Sequence, residues 1–190
     1  AILVNCVYNN PGNPDYCGFI PILATVLFAF QIYCDFSSYS DIARGAAEVM
    51  GFSLMKNFDT PYFSQSVAEF WRRWHISLSS WFRDYLYIPL GGNRKGSLRK
   101  YANLLIVFGV SGLWHGASWS YVIWGLLNGF YQVAGQLLQP LRRRYAVSTQ
   151  VFSTRLRKTL VTFALVCFSW IFFRANSVTD AFTIIKSMTS

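Results

Sequence analysis

Charged residues are scarce in this chain. Only 13% of its 190 residues are Asp, Glu, Lys or Arg, against about 25% in an average soluble domain. With 53% hydrophobic and 18% aromatic residues, that deficit excludes a disordered chain and argues against an ordinary water-soluble enzyme. Acidic residues are the scarcer sign, eight against seventeen Lys and Arg, for a net charge of +9. Such a balance suits nucleic acid, an anionic lipid surface or an acidic substrate, according to where the cations sit. Histidine is limited to His75 and His115, and no spacing of His with Cys6, Cys17, Cys34 or Cys167 resembles a metal site, so no metal is expected. The chain has no G-x-S-x-G nucleophile motif. Gly91-Gly92-Asn93-Arg94-Lys95-Gly96 departs from phosphate-loop spacing and reads as a basic turn. No repeat is visible, and the six prolines are scattered.

The charges that exist are unevenly placed. Residues 35–100 hold fifteen of the twenty-five, whereas 101–141, 16–34 and 159–173 hold none. A membrane-crossing helix needs about 20 mostly apolar residues. The sequence therefore predicts an all-α membrane bundle with spans at about 16–34, 101–118, 119–139 and 159–174. One buried core helix in a soluble protein would explain a single such gap, not three. The chain opens Ala1-Ile2-Leu3-Val4 with no Met and no charged leader. It reads as part of a longer polytopic protein whose N-terminal spans lie outside it.

Two clusters, Arg94, Lys95, Arg99, Lys100 and Arg142, Arg143, Arg144, Arg155, Arg157, Lys158, flank the uncharged gap 101–141. The positive-inside rule puts both in the cytoplasm, which requires the two passes already read there. Cations at the edges of hydrophobic gaps, not on one solvated face, argue against nucleic acid as the partner. The loop around 9–16 lacks Lys and Arg and is placed outside. Pairing of Cys6 with Cys17 is an option there; Cys34 and Cys167 lie in apolar runs and read as packing residues.

Between the gaps, residues 66–87 read as one amphipathic helix. Val67, Phe70, Trp71, Trp74, His75, Leu78, Trp81, Phe82 and Tyr85 share one arc, with Arg72, Arg73, Arg83 and Asp84 on the other. That pattern suits a helix lying at a membrane interface, the alternative being a peripheral helix packed on a protein core.

His115 interrupts the longest uncharged gap, in Gly112-Leu113-Trp114-His115-Gly116. Counting from Tyr101 at about 1.5 Å per residue puts it roughly 20 Å into a hydrocarbon core about 30 Å thick. An ionisable group at that depth is a functional candidate by default, with an interhelical structural role as the alternative. Gly112 and Gly116 allow another backbone or a substrate to approach closely. His75 reads locally as a headgroup-level side chain. Asp35 and Asp41 flank Phe36-Ser37-Ser38-Tyr39-Ser40 just past the first span, suited to a polar substrate or to interhelical hydrogen bonding.

The run Phe70-Trp71-Arg72-Arg73-Trp74-His75-Ile76-Ser77-Leu78-Ser79-Ser80-Trp81-Phe82-Arg83-Asp84-Tyr85-Leu86-Tyr87-Ile88-Pro89-Leu90-Gly91-Gly92-Asn93-Arg94 resembles the membrane-bound O-acyltransferase family, and Gly112-Leu113-Trp114-His115-Gly116 resembles its second signature. Asp35-Phe36-Ser37-Ser38-Tyr39-Ser40-Asp41-Ile42-Ala43 and Asn57-Phe58-Asp59-Thr60-Pro61-Tyr62 fit as well, so the likeness covers about residues 30–135. The Tyr87-to-Arg94 ending is similar to the bacterial alginate and polysaccharide O-acetyltransferase branch, more than to the teichoic-acid D-alanylation branch.

The resemblance implies an enzyme of the bacterial inner membrane with His115 as catalytic histidine and His75 as the second site residue. It implies no bound cofactor, an acyl thioester (acetyl-CoA or an acyl carrier protein) as cytoplasmic donor, and an extracytoplasmic transferase as partner. In the expected mechanism His115 is general base on an acceptor hydroxyl, and His75 donates to the developing oxyanion or holds the donor. Arg72, Arg73, Trp74, Trp114, Asp35 and Asp41 are the further candidates for donor or substrate binding. A transport subunit and a non-catalytic membrane scaffold are the rival readings.

Overall fold

The uncharged gaps fold as helices. A computed structural model describes residues 1–140 and 152–190, and among these it has helices and turns but no strand. In chain order the helices are α1 (Ile2–Asn9), α2 (Phe19–Val49), α3 (Val67–Arg73), α4 (Ile76–Phe82), α5 (Gly96–His115), α6 (Trp119–Leu137), α7 (Phe152–Arg174) and α8 (Val178–Ser187). A 3₁₀ turn at Pro61–Phe63 precedes α3, and a π-helical turn at Arg83–Tyr87 continues α4. Of the second basic cluster, Arg142, Arg143 and Arg144 lie outside the described residues, while Arg155, Arg157 and Lys158 fall in the first turns of α7.

Among the described residues, α2 and α7 are long and apolar enough to cross a membrane. Helix α2 has 31 residues, about 46 Å at about 1.5 Å per residue. It runs well past residue 34, where the sequence reading ends its span, so Asp35–Asp41 are helical and not in a loop. It stops at Gly51, whose φ of 84° no longer continues a right-handed helix. The outward sides of α2 and α7 expose Leu23, Leu27, Phe30, Leu160, Val161 and Phe168. Helices α5 and α6 carry the gap 101–141, but Arg99, Lys100 and Asn103 in α5 and Asn128 and Gln132 in α6 lower their hydropathy.

These two helices form a hairpin joined at residues 116–118, and small residues set its spacing. A Cβ on Gly112 would run into the Tyr121 carbonyl oxygen, and one on Gly125 into the Phe108 carbonyl oxygen. The helices therefore meet backbone to backbone, as glycine pairs permit. Of the two approaches anticipated for the glycines around His115, Gly112 serves a neighbouring backbone. Gly116 serves the Tyr121 ring, whose Cε2 would stand 2.7 Å from an added Cβ.

Residues 66–87 are not one helix. Helix α3 starts at a Ser66 cap, where Ser66 Oγ accepts from Glu69 N–H at 3.1 Å and Glu69 Oε2 accepts from Gln65 N–H at 2.8 Å. It ends at Arg73, because the irregular segment 57–60 takes the groups that would carry it on. Asp59 N–H donates to Arg73 O at 2.9 Å, and Ile76 N–H donates to Asn57 O at 3.0 Å. The apolar arc splits at the same place. Phe70 and Trp74 are buried in the protein, stacked with ring centroids 5.4 Å apart, while Trp81 and Tyr85 are 52% and 68% exposed. Helix α3 is thus the peripheral helix packed on a core, and an outward aromatic face survives only beyond His75. The core it joins is aromatic: Trp74 meets Phe58 and Trp170, and Trp170 stacks on Trp124 at 5.8 Å. Cys6, Cys17, Cys34 and Cys167 are all free thiols, so Cys6 and Cys17 do not pair; Cys167 is buried and Cys34 exposed.

Candidate active site

Both histidines stand where a helix is interrupted. His115 is the last residue of α5, and its ring lies 5.1 Å from that of Trp124, 5.2 Å from Phe173 and 5.0 Å from Trp114, each edge to face. The core indole of Trp124, the exposed indole of Trp114 and Phe173 of α7 thus border the imidazole on three sides. His75 occupies the position before α4 with φ 45° and ψ 57°, a left-handed conformation uncommon for a residue with a Cβ. Its ring packs edge to face on Phe36 of α2 at 4.7 Å, and Nδ1 lies 3.5 Å from Ser77 Oγ. Burial lowers the pKa of His75 to about 4, so its imidazole is neutral at pH 7.

Two cavities meet at this pair, and both histidines line both. The smaller, about 220 Å³, follows α5 along Leu104, Val107, Phe108 and Ser111 and is closed by Trp71, Arg72 and Arg83. It therefore reaches from His115 toward the end of α5 that carries Arg99 and Lys100. The larger, about 820 Å³, lies at the other end of α5, between Gln31, Asp35 and Tyr39 of α2, Ser118 and Tyr121, and Phe173–Asn176. That volume is within the usual range of small-molecule sites, about 300–1,000 Å³. Both are mostly apolar; the smaller has Arg72 and Arg83 at its edge, and the larger adds Gln31, Asp35, Arg174 and Asn176 to its aromatic walls.

The candidates from the sequence separate cleanly. Asp35 and Trp114 line the larger cavity, Arg72 and Trp74 the smaller. Arg73 does neither: its guanidinium binds Glu69 Oε1 at 2.7 Å and Thr60 Oγ1 at 3.3 Å, joining α3 to the preceding turn. Asp41 is paired with Arg44 at 3.1 Å on the exposed side of α2, away from both cavities. Among the described residues no three His, Cys, Asp or Glu side chains group as a metal set.

Sequence reasoning missed Gln31, Tyr121, Phe173 and Arg174. Gln31 has a buried side-chain oxygen without a partner and stands four residues before Asp35, one helical turn away on the same face. That spacing was visible, and only the polar interruption of an apolar run marked it. Arg174 donates to Asn5 Oδ1 at 2.8 Å and lies over the Tyr8 ring; nothing local announces that α1 and the end of α7 meet.

Comparison with known proteins gives the family. The family model described as MBOAT, membrane-bound O-acyltransferase family, matches residues 7–178. The chain is 44% identical over 168 residues to a protein of Pseudomonas aeruginosa named probable alginate O-acetylase AlgI, covering 88% of this chain and 31% of that one. It is 40% identical over 169 residues to the peptidoglycan O-acetyltransferase of Helicobacter pylori, covering 87% and 31%. The teichoic acid D-alanyltransferase of Bacillus subtilis is 28% identical over 153 residues, covering 77% and 39%. The chain spans about a third of the length of these curated relatives.

Proposed function

Because the chain belongs to the membrane-bound O-acyltransferase family, we propose that it is the catalytic portion of a multi-pass inner-membrane O-acetyltransferase. It moves an acetyl group from a cytoplasmic thioester to a hydroxyl, for modification of an extracytoplasmic polysaccharide such as alginate or cell-wall glycan. The observation that carries this reading is that one histidine pair lines two cavities, a smaller and more apolar one with Arg72 at its edge and a larger one that Gln31, Asp35 and Asn176 also line. Acyl transfer across a membrane needs that arrangement: a donor on one side, an acceptor on the other, and a base at the contact between them. Acetyl transfer is preferred to D-alanyl transfer because the acetylating relatives are the more similar ones.

In this reading α5 and α6 cross the bilayer together with α2 and α7, and the basic turn 94–100 faces the cytoplasm. Arg72 at the rim of the smaller cavity attracts the phosphates or acidic carrier surface of the thioester donor, while Arg83 beside it is paired with Asp84 at 2.7 Å. His115 takes the proton of the acceptor hydroxyl as its oxygen attacks the thioester carbonyl; the carbon–sulfur bond then breaks, His115 returns that proton to the departing sulfur, and the thiol leaves toward the cytoplasm. Donor and extracytoplasmic partner protein belong to this same proposal. Replacing His115 with Ala in the full-length protein should lower acetylation by at least 10²-fold, the low end for a general base, with membrane insertion unchanged. Acetylation at the wild-type rate would exclude His115 as the base.

A further inference from the structure

The segment Asn57–Thr60 accounts for more than the break between α3 and α4. Asn57 Oδ1 accepts twice, from Ser77 N–H at 3.1 Å and from Ser77 Oγ–H at 2.6 Å, while Asn57 O accepts from Ile76 N–H at 3.0 Å. These bonds surround His75 and hold its left-handed backbone. They also bear on the hydrogen-bond directions that link Asn57, Ser77 and His75. A backbone N–H only donates, so the Asn57 atom facing it is the oxygen and not the amide nitrogen. Ser77 has one hydroxyl proton, and the shorter bond to Asn57 Oδ1 uses it. Toward His75 Nδ1, Ser77 Oγ then has only lone pairs to offer, so Nδ1 carries the proton.

We propose that Asn57 and Ser77 are positioning residues that keep His75 in the Nδ1–H tautomer, leaving Nε2 as a proton-accepting nitrogen for whatever occupies the junction of the two cavities. His75 thereby accepts a hydrogen bond from a ring N–H of His115, whose other nitrogen faces the acceptor hydroxyl, and does not donate to the oxyanion. This inference rests on the acyl-transfer reading for its kinetics, but the tautomer is a property of the protein alone.

The test uses the full-length protein with Ser77→Ala and Ser77→Thr. Both keep the Ser77 backbone donor to Asn57, and only the second keeps a hydroxyl. The ¹⁵N shifts of the His75 ring should show protonated Nδ1 in the wild type and in Ser77→Thr, with population moving to Nε2–H in Ser77→Ala. In Ser77→Ala kcat should fall about tenfold with KM for the thioester unchanged, and Ser77→Thr should restore it. An Nε2–H tautomer in the wild type, or equal kcat in wild type and Ser77→Ala, would overturn the proposal. So would equal loss in both variants, which would mark packing. Failure of the acyl-transfer reading itself would appear separately, as no acetyl transfer from a thioester by the wild-type full-length protein, with the His75 tautomer still readable from its ¹⁵N shifts.

Discussion

Replacing Gly125 with Ala tests whether the α5–α6 hairpin sets the position of His115. An added Cβ overlaps the Phe108 carbonyl oxygen and stands 3.1 Å from Gly112 N. Both are backbone atoms, so no side-chain rotation relieves them. The helices must part by more than ~1 Å to regain ordinary separations near 3.5 Å, and overpacking of this kind costs about 1–3 kcal/mol. Against it stands the gain of about 1 kcal/mol from Ala over Gly inside a helix. Gly135, also in α6, provides the control, because a Cβ there meets nothing within 4 Å. Both substitutions share the propensity gain, so Gly125→Ala should be less stable than Gly135→Ala by about 1–3 kcal/mol, the overpacking cost alone. His115 ends the displaced helix, and a shift of about 1 Å at a reacting group can cost about 10²-fold in rate. Thermal unfolding of the detergent-solubilised full-length protein reads the first quantity, and acetyl turnover the second. If Gly125→Ala melts at or above Gly135→Ala and turns over normally, the close approach does not position the site.

Arg72 and Arg73 are adjacent but should behave differently. Arg72→Ala is expected to raise KM for the thioester several-fold with little effect on stability, since it rims the smaller cavity. Arg73→Ala should leave KM alone and lower the melting midpoint, because it frees Glu69 and the Asp59–Thr60 turn; parallel titrations of acetyl-CoA in the two variants decide this. The stability of the protein should also fall on mild acidification. The unfolded His75 titrates near 6.5 and the folded one near 4, so between those values the unfolded state binds a proton that the native state does not. Stability therefore rises with pH across that window and is fully present above it. Melting midpoints from pH 7 to pH 4.5 should decline less steeply in His75→Gln than in the wild type, and equal slopes would show that His75 is not the titrating group.

Much of this architecture was legible because it depends on local composition. The uncharged gaps mark the long helices, and the glycines around His115 mark a close approach. The aromatic weight of 67–74 marks a buried helix face, although whether lipid or protein covers it depends on what packs there. The break at His75 was not legible, since the groups that end α3 come from Asn57 and Asp59, far outside any helical window. Asp41 and Arg73 carry suitable chemistry, but each has a local partner that a motif does not reveal. Gln31 and Arg174 were missed for the converse reason: their neighbours at the site come from helices distant in sequence.

The left-handed turn sends two adjacent side chains to different places. In a continuous helix Trp74 and His75 would lie about 100° apart on one arc and face the same core. The turn lets Trp74 fill the aromatic core while His75 borders both cavities. A non-glycine residue in that region costs about 1–3 kcal/mol, and the hydrogen bonds of Asn57, at about 1 kcal/mol each, are of the size needed to offset it. Backbone preference and chemistry can then be separated at one position. Asn adopts the left-handed region readily, whereas a β-branched residue is strongly disfavoured there. His75→Asn should keep the melting midpoint close to the wild type and lower turnover, because the tautomer-fixed imidazole is lost. His75→Val should lose turnover and also destabilise the protein by about 1–3 kcal/mol. If Val melts like Asn, the residue is not held left-handed in solution, and the clamp formed by Asn57 has no strain to oppose.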